Sequence, residues 1–192
     1  NNGNNFYENQ SINNNPNIQK NSSYKQKDFI QKFNFITGEN SNLILNFQYS
    51  NSSNISRFDK LSEITSDGNL KYAQWYYGPQ KRLLSSIKLN LAGGKIYDSA
   101  SLIASFQKIN ESRNSRKFGS LNLKSQDEDL RIFSINTDFS KNLNEINSLA
   151  YGFELTNNKL NSTAKNFELV TENNKVIERS YSEGLSRYPS DG

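Results

Sequence analysis

Cysteine, histidine and methionine are all missing from these 192 residues, and proline occurs only three times. Without Cys there are no disulfides and no thiolate metal sites. Without His the commonest general base and metal ligand is gone. The lack of Met, and an Asn at position 1 that opens no signal peptide, lead us to expect a fragment or a processed chain. The longest apolar runs are a few residues, too short for a helix to span a bilayer. Apolar side chains are scarce at 33%, against roughly 45–50% in an ordinary globular domain. Such a chain either stays disordered or buries its apolar groups outside a conventional core. Twelve Phe, ten Tyr and one Trp decide against disorder, because a solvating sequence carries few aromatics. The net charge of +4, with both signs interspersed, gives no argument for a nucleic-acid partner.

Residues 1–26 are Asn-rich and show no period, which predicts a loop, extracellular if the chain is a barrel, or a disordered arm; residues 27–192 form the remainder. Within that remainder alternation sets in. Leu43, Leu45, Phe47 and Tyr49 fall on one face of a strand, with Asn42, Asn46, Gln48 and Ser50 on the other. The same period of two predicts strands over 28–37, 82–92, 99–109, 129–139 and 147–156. Each is about ten residues, the length a tilted transmembrane strand needs.

The predicted connections alternate between short and long. TGENS, AGGKIYD and SKNLNE are turn-like, whereas 51–81, 110–128 and 157 to the end are long. That is the plan of an all-β, antiparallel up-and-down transmembrane β-barrel, with short periplasmic turns and long extracellular loops. A soluble sandwich or lipocalin-like barrel also alternates. It needs a second apolar layer, however, and these loops hold few residues to supply one. Six strands are too few to close a membrane barrel, whose smallest examples have about eight. An open edge in lipid costs several kcal/mol per unpaired group. A larger protein is therefore expected around this piece.

NISRFDKLSE (54–63), KYAQWYYGPQKRLLSS (71–86), FQKINESRNSRKF (106–118), YGFEL (151–155) and LSRYPSDG (185–192) occur in that order. Together they resemble the barrel of TonB-dependent outer-membrane receptors, most of all those of Bacteroidetes-type bacteria. The resemblance covers about residues 28–192. It implies a barrel of about 22 strands filled by an N-terminal plug domain, in the outer membrane of a Gram-negative bacterium. It also implies uptake of a scarce ligand such as a ferric siderophore or haem. The implied partners are the TonB–ExbB–ExbD complex acting through the plug, outer-membrane lipid and lipopolysaccharide, and a surface lipoprotein. The plug, the other strands and the C-terminal strand with its terminal aromatic lie outside this stretch, and the absence of His argues against haem ligation within it. A scaffold that keeps the barrel without transport, and a passive porin, are the alternatives.

Catalysis has little support, so no catalytic residue, metal ligand or cofactor is expected: GLSRYPSDG lacks the glycine-framed serine of a nucleophile elbow. Asp59, Glu63 and the run Asp127-Glu128-Asp129 fall in segments expected to be loops, as solvated charges. The run has neither the glycine nor the spacing of a calcium loop. Ligand contact is expected at Arg57, Trp75, Tyr76, Arg113, Arg116 and Tyr188, because loops on a rigid scaffold carry binding function. Trp75, Tyr76, Tyr77, Lys81 and Arg82 are expected at the membrane boundary, rings among the headgroups and cations beside the phosphates. Gly78-Pro79 is expected to turn the chain into its strand.

Overall fold

The computed structural model describes residues 14–15, 17–20, 22–173 and 175–188; most of the Asn-rich arm lies outside them. Alternating polar and apolar side chains produce β1 (Gln26–Gly38), β2 (Ser41–Ser52) and, after the short paired strands β3 (Ile55–Ser56) and β4 (Tyr72–Tyr77), β5 (Lys81–Ala92). They continue with β6 (Ser99–Lys117), β7 (Asn122–Asn142), β8 (Ser148–Glu172) and β9 (Lys175–Glu183). One helical turn, α1 (Phe58–Leu61), interrupts them. All belong to a single antiparallel sheet ordered β1-β2-β5-β6-β7-β8-β9, with β3 on β4 and β4 on β6. The protein is thus all-β, and the sheet is open: among the described residues no strand joins β1 to the far edge. No helix among the described residues is long and apolar enough to cross a membrane.

The register lines up the predicted alternation from strand to strand. Phe33 faces Leu45, Leu45 faces Ile87, Ile87 faces Ala104, Ala104 faces Ile135 and Ile135 faces Leu155. One face is therefore a continuous apolar band, whereas the other carries Lys32, Asn46, Gln48, Ser86, Lys88, Ser105, Ser134 and Glu154, interspersed with Ile44, Ile103 and Ile132. From Leu83 to Leu91 the band runs about 27 Å along the strand.

Among the described residues no second layer covers this band. The chain exposes 13820 Å², against roughly 9,300 Å² for a compact monomer of its size. Among the described residues the buried apolar side chains are only Ala100, Leu123, Ala164 and Leu169. Phe29, Phe33, Phe35, Phe47, Tyr49, Ile87, Phe106, Phe133, Leu149, Tyr151, Phe153 and Leu155 are all exposed on the apolar face. Burying such a side chain contributes about 1.5–3 kcal/mol. Leaving a dozen of them half in water forfeits on the order of 10 kcal/mol, the size of a whole domain's stability.

Two of the three long loops expected from the sequence are instead paired strand. β6 and β7 extend to Lys117 and back from Asn122, so the connection is only Phe118–Leu121, with Gly119 at φ 71 supplying the left-handed turn. β8 continues to Glu172 and returns as β9. In the third, Ile55 pairs Tyr77 in the same register as Asn51 with Lys81, which leaves 57–71 as the connecting loop. In ESRNSRK both faces are polar, and in the β8 extension Leu160, Phe167, Leu169 and Val170 do not keep to one face, so alternation could not reveal them. Turns at 39–40, 93–98 and 143–147 occupy one end of the sheet, and the extensions rise from the other.

Candidate functional site

Where the apolar band ends, β4 and β5 lie end to end along β6. Tyr77 pairs Arg113 and Lys81 pairs Asn110, so four steps on one strand match three on the other. The extra residue is a β-bulge at Gly78-Pro79-Gln80. Gly78 N–H donates to Ser112 O at 3.0 Å, Pro79 needs no partner, and Gln80 N–H donates to Ser52 Oγ at 3.0 Å. A Cβ on Gly78 would lie 2.0 Å from Ser112 Oγ, so glycine permits the close approach. WYYGPQKR is accordingly a strand that bulges in mid-course, where the sequence had suggested a loop turning into one.

The bulge inverts the alternation and sends Trp75 and Tyr77 to the polar face. Arg57 joins them there, its N–H donating to Trp75 O at 2.9 Å. The Arg57 guanidinium sits 5.0 Å from the Trp75 ring and 5.8 Å from that of Tyr77, and Nη1 donates to Tyr77 Oη at 3.0 Å. Asp59 accepts from Arg57 Nε at 2.9 Å; this pairing holds the Asp59 carboxyl below its usual range and raises the guanidinium. Arg113 lies over the opposite strand's Tyr77 at 5.6 Å, and its Nε is buried without a hydrogen-bond partner among the described residues. Trp75 meets Tyr77 edge to face at 5.3 Å. The result is two cations about a rigid aromatic pair, with one guanidinium tied down and the other incompletely bonded.

Beside this cluster Glu111 faces Glu128 across β6 and β7. Burial, then the hydrogen bond with Glu128, pushes the Glu111 carboxyl up. Arg187 Nη1 donates to Glu128 at 2.9 Å, on a closing segment tied down by Gly184 N–H to Ala164 O at 2.9 Å and Gln126 Nε2 to Leu185 O at 3.0 Å. On the same face an open groove of about 520 Å³ is lined by Gln26, Asp28, Gln48, Gln80, Arg82 and Glu111. Arg82 donates to Gln107 Oε1 at 2.9 Å. Amides, hydroxyls and guanidinium groups beside aromatic rings can hold a polar or anionic ligand by hydrogen bonds and stacking.

Of the six residues expected to contact ligand, Arg57, Trp75 and Arg113 come together, and Tyr188 lies next to Arg187, 5.0 Å from its guanidinium. Tyr76 and Arg116 go to the opposite face. Burial pushes the Tyr76 phenol up, with Glu178 and Asp127 adding to the effect. Arg116 is only 2% exposed and pins the hairpin, donating through Nε to Gln74 Oε1 at 3.0 Å and through Nη1 to Ser120 O at 2.9 Å. Arg113 and Arg116 are strand residues of β6, not loop residues, and adjacent parity decides which one meets solvent on the polar face. The boundary set splits in the same way, with Tyr76 and Lys81 on the apolar-band side and Trp75, Tyr77 and Arg82 on the other.

The acidic run also lies in β7, which puts Asp127 and Asp129 on one face and Glu128 on the other. No group of three or more metal-ligating side chains forms among the described residues. Sequence reasoning missed the Glu111–Glu128–Arg187 group, whose members are far apart in the chain. It also missed Tyr97, Phe139 and Tyr151 at the turn end of the apolar band, with ring centroids at 5.9 and 5.0 Å and Tyr151 Oη donating to Ile96 O at 2.8 Å. Tyrosines flanking a turn were the available signal. No known protein family, curated protein or solved structure matches this chain.

Proposed function

We propose that this sheet is part of the wall of a transmembrane β-barrel of the TonB-dependent outer-membrane receptor type, in a Gram-negative bacterium. The observation that carries the reading is the apolar face, uncovered across six neighbouring strands and backed by a polar face. Lipid is the solvent in which such a face costs nothing, and an up-and-down antiparallel meander is the sheet that presents it. Tyr97, Phe139 and Tyr151 at one margin and cationic side chains at the other match the interfaces of a bilayer. The free edges of β1 and of residues 148–164 of β8 are then seams at which further strands complete the barrel.

On this reading the polar face looks into the lumen. The strand extensions stand on the cell-surface side, and the Arg57–Trp75–Tyr77–Arg113 cluster contacts a scarce anionic nutrient such as a ferric siderophore. Import is driven by the TonB–ExbB–ExbD complex through a plug domain; the chain is a carrier and not an enzyme. The test is uptake in the host under nutrient limitation. Loss of the protein abolishes energised uptake, and so does loss of TonB. Replacing Arg113 by Ala weakens ligand binding about tenfold, the size of one charge-assisted contact. Unchanged uptake without the protein points to a scaffold. Steady conductance in planar bilayers points to a porin.

A further inference from the structure

The apolar face is not uniform. At the level of Ser85 it sinks into an open groove of about 460 Å³. The cross-strand row there reads Phe47, Ser85, Phe106, Phe133, so a small side chain stands between large rings, and Ala104 deepens the floor. Two residues further along the strands, about 6.7 Å, the same face turns cationic. Lys108 pairs Arg131, and Arg131 pairs Lys159, one side chain from each of three neighbouring strands. Asp129 lies 3.3 Å from Lys108 Nζ and 3.0 Å from Arg131 Nε, which fixes those two side chains in the row. Among the described residues no ion pair involves Lys159, and no hydrogen bond engages the Nη groups of Arg131. Three cations and one carboxylate leave the row with two uncompensated positive charges.

An apolar slot that ends at a cationic row is the complement of one kind of molecule. It needs a hydrocarbon chain and, at the end of that chain, a net negative headgroup rich in acceptor oxygens. We infer that this face binds a membrane lipid with a phosphorylated, net negative headgroup. The phosphate sits on Arg131, Lys108 and Lys159, and one acyl chain fills the groove over Ser85 and Ala104. The guanidinium supplies paired donors and the two ammonium groups act as point charges. The lipid would cover a recess that straight, disordered chains pack poorly, and it would tie β6, β7 and β8 together at the bilayer margin. This site rests on the membrane placement proposed above and is separate from the polar-face cluster.

Native mass spectrometry of the intact protein, extracted in neutral detergent and offered phosphatidylglycerol or phosphatidylcholine with identical acyl chains, tests it. Wild type retains phosphatidylglycerol about tenfold better. Lys108→Gln, Arg131→Gln and Lys159→Gln together remove that preference. Ser85→Phe fills the groove and lowers retention of both lipids with the cations intact, so it remains informative if the triple variant fails to accumulate. Equal retention of the two lipids by wild type, or full retention by Ser85→Phe, overturns the site. Release of the protein into the aqueous phase without detergent overturns the membrane placement instead.

Discussion

Glu111 and Glu128 face each other on the polar face of β6 and β7, and one of them must yield when both are ionised. Burial and the partner carboxyl raise Glu111 above its ordinary value. A raised acid holds its proton more tightly in the folded state than in the unfolded one. Its contribution to stability is complete below the ordinary glutamate range and is lost as pH rises through the raised value. Glu111→Gln, permanently neutral, should therefore melt with wild type near about pH 4 and about 1–2 °C higher near about pH 8, a small shift because the group is only partly buried. Circular dichroism melts at the two pH values check this; a variant less stable at the higher pH contradicts it. Asp98 has the opposite sign. Its bonds from Lys141 Nζ and Asn142 N–H, both 2.7 Å, hold its carboxyl low, so its contribution fades as the solution becomes acid. At this scale the sequence was half legible. Residue type pointed to Arg57, Trp75 and Arg113, but it could not separate Arg113 from Arg116, because both were expected in a loop and only the strand parity of β6 sets them on opposite faces, nor Trp75 from Tyr76, whose facing depends on a bulge at Gly78–Gln80 that no composition displays.

Elements were legible wherever an apolar face made contrast. Leu43-x-Leu45-x-Phe47-x-Tyr49 announced β2 to within two residues at each end; four of the other five alternating runs fell inside a strand, and the fifth, 147–156, began one residue before β8. The contrast disappears in ESRNSRK, where both faces are polar, so the far end of β6 was expected as loop. YAQWYY fails for the opposite reason, with large side chains on both faces. Ladder bonding, which sequence pattern does not report, makes these strands. One position tests that ladder. A Cβ on Gly152 would come 2.1 Å from the backbone carbonyl oxygen of Thr137, where Thr137 Oγ1 also accepts from Phe153 N–H at 3.0 Å. Backbone cannot swing aside as a side chain can, so Gly152→Ala should destabilise β7–β8 pairing by about 2 kcal/mol. Hydrogen exchange at the amides of residues 135–139 and 151–155 should accelerate about tenfold or more. Unchanged protection there means that the two strands do not approach as described.

At the scale of the whole molecule, an open sheet with a bare apolar face is not a self-sufficient domain. Its stability depends on what covers that face and both edges. We account for the face by lipid, for the edges by further strands of a barrel, and for the polar face by a lumen with an arginine–aromatic ligand cluster. The central claim is the first of these, and period-two exposure tests it most directly. Spin labels placed singly from Asn42 to Ser50 in the membrane-embedded protein should alternate. Labels at 43, 45, 47 and 49 should collide with lipid-soluble oxygen, and labels at 42, 46, 48 and 50 with a water-soluble nickel complex. If 43, 45, 47 and 49 are shielded from both reagents, that face is packed against protein and the membrane account fails.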